Sequence, residues 1–166
     1  MPLPLLLASL VGPLDSAVPP SLRLHQPLLL PLAGVITQGV HADHPALDIA
    51  CSVGAPVVAA HHGSGSTQWS ATHGWTFVLQ GDDGLETRYS HLAQGAPAGR
   101  YSAGEVIGLC GNTGRWSTGP HLHFSANRPS RLADLAPAPA PAALERALAS
   151  AAWLPQPAAA AAGALP

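Results

Sequence analysis

Turn-forming residues limit what this chain can fold into more than any other feature. Its 166 residues include 17 Gly and 18 Pro. Between Gly34 and Phe124, Gly and Asn/Asp turns separate short β-branched or alternating runs. Such runs suit strands rather than helices. Val35-Ile36-Thr37-Gln38, Ala55 to Ala60, Trp75 to Gln80, Glu86 to Leu92 and Val106 to Cys110 read as strands. Gly81-Asp82-Asp83-Gly84 reads as a hairpin turn. The pattern predicts an all-β domain with antiparallel pairing.

Within this frame, Gly111-Asn112-Thr113-Gly114-Arg115-Trp116-Ser117-Thr118-Gly119-Pro120 leads straight into His121-Leu122-His123-Phe124. In an extended segment, alternation points both imidazoles to one face and Leu122 to the other. A second pair lies at even spacing in His44-Pro45-Ala46-Leu47-Asp48. Pro45 argues against a helix there, so His44 and Asp48 are expected to share a face of an extended segment while Leu47 and Ile49 enter the core. Two imidazoles and a carboxylate suit zinc, and three protein ligands leave a fourth tetrahedral position for water. His41, seven residues before Asp48, is a rival ligand that a bulge or turn would have to bring in. His25, His61, His62 and His73 read as loop or surface residues.

These segments resemble the M23 (lysostaphin/LytM-type) zinc endopeptidases. The resemblance runs from about Pro31 to Asn127. It rests on the H-x-x-x-D pair, the Tyr89-Ser90-His91-Leu92 run and the glycine-rich turn ending in H-L-H-F, in the family's order. Carried over by position, it implies zinc ligands His44, Asp48 and His123, one Zn2+ per chain, and catalytic histidines His91 and His121. It implies an endopeptidase that hydrolyses peptide bonds of bacterial peptidoglycan, in cross-bridges or stem peptides, through zinc-activated water assisted by the two histidines. No H-E-x-x-H motif is present to supply a glutamate base, and imidazoles titrate near neutrality. The implied fold is a larger sheet packed on a smaller one, with the zinc groove on the sheet. Ala46 stands where the family usually has glycine, and Trp116 is an extra residue in the turn. Trp116 and Asn112 are candidate substrate contacts, and Gly63 to Thr67 and Ala93 to Tyr101 are candidate groove walls. In that fold the segments holding Cys51 and Cys110 converge, so both a disulfide and two buried thiols remain open. The alternative function is a non-hydrolytic wall-binding or regulatory module of the same fold. A histidine-rich metal buffer is a third reading.

Composition places this site in one small domain. The formal net charge is -2, and all seven basic residues are Arg. With no basic cluster, nucleic acid is not an expected partner. A monomer acting on peptidoglycan peptides, without a membrane span, is expected. Residues 1–30 form an apolar, proline-broken leader and a possible signal segment, residues 31–128 the peptidase-like domain, and residues 129–166 an Ala/Pro-rich tail. The expected location is extracytoplasmic (secreted, periplasmic or cell wall). Leu3 to Val11 would be the apolar stretch of a signal, although a basic start is missing. In the tail, Ala142 to Trp153 holds good helix formers with Leu144 and Leu148 at i, i+4, and Pro157 to Pro166 reads as disordered.

Overall fold

The computed structural model describes residues 27–154, so residues 1–26 of the possible signal segment, with its apolar stretch Leu3 to Val11, and Pro157 to Pro166 lie outside the described residues. The chain is built on a seven-stranded antiparallel sheet. In chain order its strands are β2 (Ile36–Gln38), β3 (Ala46–Ala50), β5 (Gly63–Ser70), β6 (Gly74–Gln80), β7 (Glu86–Leu92), β9 (Gly99–Tyr101) and β11 (His121–Ala126). They lie side by side as β2-β3-β11-β7-β6-β5-β9. A three-stranded antiparallel sheet combines β4 (Pro56–Val58), β10 (Val106–Leu109) and β8 (Gln94–Gly95) in the order β4-β10-β8. The five sequence-predicted strands are all present, with small shifts at their ends. Gly63 to Thr67, expected as a loop walling the groove, instead begins the eight-residue β5.

Alternation along the central strands explains the core. Leu47 and Ile49 on β3, Leu122 and Phe124 on β11, Tyr89 and Leu92 on β7, and Phe77 and Leu79 on β6 are buried. Phe124 lies opposite Leu47 on one side and Tyr89 on the other. The smaller sheet adds Val57 and Ile107 to the same cluster, so the two sheets share one core. Each fully buried side chain of this size stabilises the fold by about 1.5–3 kcal/mol. A glycine in β5 permits the tight fit: a Cβ on Gly65 would stand 2.5 Å from Cε1 of Phe77.

The folded body runs past both ends of residues 31–128. Leu28 and Leu29 form β1, which pairs in parallel with β12 (Leu135–Ala136), and Leu28 is buried in the main core. Helix α1 (Pro141–Ser150) starts with proline at its first turn. It presents Leu144, Ala147 and Leu148 to Val58 and Val106 of the smaller sheet. The helix ends before the expected Trp153, because the chain turns there and the Trp153 indole donates to the Val106 carbonyl at 3.2 Å. No helix among the described residues is long and apolar enough to cross a membrane.

Candidate active site

The β3–β11 ladder places Asp48 directly opposite His123 and Leu122 opposite Ile49. The hydrophobic pair therefore enters the core while the polar pair shares the other face. His44 lies outside β3, in a short bridge with His41. Its Nδ1 donates to the Gly39 carbonyl at 3.2 Å, which turns Nε2 inward. His44 Nε2 lies 3.3 Å from His123 Nδ1 and 3.3 Å from Asp48 Oδ1, and His123 Nδ1 lies 2.9 Å from Asp48 Oδ1. His41 is not a member of this group; its Nε2 meets Gln38 Nε2.

His91 enters by a different route. Trp75 pairs with Leu92 and Phe77 with Tyr89, so β7 carries one extra residue in this interval. Simple alternation would put His91 on the core face with Tyr89. The extra residue, with His91 at φ 64°, turns its ring to the site instead. A positive φ at a non-glycine residue is uncommon and costs about 1–3 kcal/mol. His91 Nδ1 donates to the Thr113 carbonyl at 2.7 Å, leaving Nε2 as an acceptor. Burial pushes its imidazole down to about 4, against an opposing contribution from that hydrogen bond. His121 Nδ1 donates to the Gly119 carbonyl at 2.8 Å, and its Nε2 stands 3.8 Å from Asp48 Oδ1. The His91 and His121 rings are 4.7 Å apart.

The glycine-rich turn is laced to the tip of the β5–β6 hairpin by main-chain bonds. Arg115 donates to the Ala71 carbonyl and Trp116 to the Thr72 carbonyl, while His91, on β7, donates to the His73 carbonyl of the same tip. Two glycines allow this contact. A Cβ on Gly114 would stand 2.3 Å from the Gly74 nitrogen, and both residues have positive φ. Asn112, a candidate substrate contact, accepts from the Ser117 hydroxyl at 2.6 Å inside the turn. Trp116 is exposed and meets the His73 ring edge-on at 4.9 Å. Cys51 and Cys110 are joined in a disulfide at the base of the turn.

Two further residues line the site: Arg88, which the sequence did not single out, and His73, which reads from sequence as a loop or surface residue. His73 stacks on His91 at 6.0 Å and lies 5.6 Å from the His123 ring. Burial and then the Arg88 charge lower its imidazole from the ordinary value. Arg88 joins His73 and His123 in lining a groove of about 300 Å³. Hairpin packing delivers His73, and no spacing in the sequence encodes that. Arg88 could have been found by its separation from Ser90, since i and i+2 share a strand face.

Comparisons with known proteins agree with this architecture. The sequence profile of peptidase family M23 matches residues 42–134, more than half of the chain, and the chain belongs to that family. It is 40% identical over 85 residues to the DD-carboxypeptidase/endopeptidase Mpg of Neisseria meningitidis serogroup B. It is 38% identical over 88 residues to the peptidoglycan DD-endopeptidase ShyA of Vibrio cholerae. Each match covers 50% of this chain and 20% of the relative, so the chain spans about a fifth of their length. A zinc-containing peptidase from Vibrio cholerae superposes with a TM-score of 0.54 at 28% identity, over 61% of this chain and 36% of that one.

Proposed function

We propose that this chain is an extracytoplasmic zinc endopeptidase that hydrolyses peptide bonds of bacterial peptidoglycan. The observation that carries the reading is the convergence of His44, Asp48 and His123 beside two further histidines with fixed ring orientations. The donor set fits zinc. Ligands at 2.0–2.1 Å in a tetrahedron stand about 3.3 Å from one another, and the three donor separations here are 2.9, 3.3 and 3.3 Å. His44, Asp48 and His123 would hold the zinc, which would supply Lewis-acid polarisation of a water and of the scissile carbonyl. The names of the relatives support peptidoglycan peptides as the substrate.

The chain's own residues divide the proton work. His91 presents a neutral Nε2, the acceptor that an attacking water requires. Burial makes a proton on that ring short-lived, which favours its release to the leaving nitrogen. His121 Nε2 faces Asp48 Oδ1 at 3.8 Å beside the three proposed ligands, with its ring fixed by the Gly119 carbonyl. It is placed to steady the oxyanion.

Zinc content and release of new amino groups from purified peptidoglycan test this reading, with wild type compared against His91→Ala. One zinc in both proteins is expected, with amine release falling at least about a hundredfold in the variant. Loss of zinc from His91→Ala would overturn the assignment of ligands and catalysts. Zinc binding without release from any wall type would overturn the endopeptidase.

A further inference from the structure

Resting on the peptidase reading, His91 must hold its Nε2 at one point, and its hydrogen bonds alone do not achieve this. The His91 main-chain N–H donates to the His73 carbonyl at 2.9 Å, and its Nδ1 donates to the Thr113 carbonyl at 2.7 Å. The first bond secures a backbone held at φ 64°, a conformation that persists only when its surroundings over-determine it. The second secures one ring atom. The ring can still rock about the line from its stem to Nδ1, because the terminal torsion of histidine is soft.

Three histidine rings flank that plane. His121 and His123 are tilted against it by 52° and 70°, whereas His73 lies nearly parallel, at 20° with centroids 6.0 Å apart. That separation falls in the offset-stacked range of ring pairs. A near-parallel neighbour opposes rocking across the face, while a tilted one meets it along an edge. His73 is held in turn. Its main-chain N–H donates to the Ser70 hydroxyl at 3.0 Å, and its Nδ1 lies 3.0 Å from the Thr72 hydroxyl. The Trp116 ring closes edge-on against it at 4.9 Å, from a main chain that donates to the Thr72 carbonyl. Core burial does not hold Trp116 there, because its side chain is exposed.

We propose that His73 is a positioning residue: its ring, braced by Trp116, keeps the His91 imidazole at the tilt that proton transfer requires. It acts through its plane and not through its nitrogens. The test uses the zinc-loaded full chain. It reads zinc content, cleavage of a soluble cross-linked stem-peptide dimer, and the His91 ring signals by heteronuclear NMR. His73→Ala is expected to lower kcat roughly tenfold, a fraction of the loss that a full misplacement brings. KM and zinc content should stay unchanged, and the His91 ring signals should broaden or split. The main-chain bond from His91 survives this substitution, so the loss reports the ring. His73→Phe should restore most of kcat and one sharp set of signals. Trp116→Ala should lower kcat a few-fold, and adding it to His73→Ala should cost nothing more, because Trp116 acts through His73.

Unchanged kcat and ring signals in His73→Ala would overturn the proposal. So would a His73→Phe variant as slow as His73→Ala, since the imidazole nitrogens would then be at work. Loss of zinc from His73→Ala would overturn it too, because the effect would pass through His123. Multiplying losses in the double variant would remove Trp116 as the brace. The ring signals separate this proposal from the parent reading. The expected response of His91 in a chain that cleaves no peptide would sink the endopeptidase and keep the positioning role.

Discussion

Two segments close onto the sheets of this molecule, and they are held in opposite ways. The glycine-rich turn meets the β5–β6 hairpin through main-chain hydrogen bonds, glycine contacts and the edge-on Trp116–His73 pair, with Trp116 itself left exposed. The C-terminal segment lies on the smaller sheet through Leu144, Leu148, Ala151 and Trp153, with one indole hydrogen bond. Hydrogen bonds are directional and fix position closely, whereas apolar burial is non-directional and supplies free energy. The turn orients His91 and His121 through the Thr113 and Gly119 carbonyls, a task that needs position. The tail covers Val58 and Val106, a task that needs only burial. Damage to the turn should therefore appear as lost catalysis, and damage to the tail as lost stability.

The largest expected effect is at Gly114. Alanine there would place a Cβ 2.3 Å from the Gly74 nitrogen at a φ of 84°. The turn must then back away from the hairpin, carrying the Thr113 carbonyl with it. A misplacement of about 1 Å costs on the order of a hundredfold in rate. Gly114→Ala should lose that much turnover while zinc content is unchanged, since none of the proposed ligands His44, Asp48 and His123 lies in the turn. Normal kinetics in the variant would show that this packing does not position His91.

Legibility in the sequence follows the same division. The strands that alternate apolar and polar residues were readable, as were the spacings of Asp48, His121 and His123, because strand periodicity is local; His44 shares their face from a bridge outside β3, not from the extended run its spacing implied. β5 was not readable: Gly63-Ser64-Gly65-Ser66-Thr67-Gln68 has no apolar alternation, and Gly65 is needed only because Phe77 packs against it. The inward turn of His91 depends on an extra residue in β7, which alternation alone would have sent into the core. His73 reaches the site through contact between two glycines distant in sequence. The tail's helical pattern was visible, but its partner, the smaller sheet, was not. Long-range packing decides all four cases, and a residue pattern carries little of it.

The Cys51–Cys110 disulfide lies at the boundary between the two regimes. It closes a sequence separation of 59 residues at the base of the turn. Closing a loop of that size restricts the unfolded chain and stabilises the fold by about 2–4 kcal/mol. Main-chain bonds from Gly54 to the Cys110 carbonyl and from Cys110 to the Ala55 carbonyl still hold the segment without it. Cys51→Ser should therefore lower stability by that amount and slow turnover only a few-fold. Reductant should destabilise wild type similarly and leave the variant unchanged. A hundredfold loss of turnover would mean that the bridge, not the lacing, positions the turn.

Trp153 gives the smallest effect and the cleanest contrast. Its side chain is only partly buried, packed against the Val58–Val106–Ala151 cluster and the edge of the main core, and its indole nitrogen satisfies the Val106 carbonyl. Trp153→Ala removes this apolar contact and one hydrogen bond, which together amount to about 2 kcal/mol. Neither its indole partner nor the cluster under the helix includes His91 or a proposed metal ligand, so kcat/KM per folded molecule should stay within about twofold. Denaturant unfolding followed by peptidase assays on the same preparation reads both quantities. A variant with normal stability would mean that the tail adds no net free energy. If turnover fell by as much as it does in Gly114→Ala, the tail and the site would be coupled through the smaller sheet. The division between positioning by hydrogen bonds and stabilising by burial would then fail.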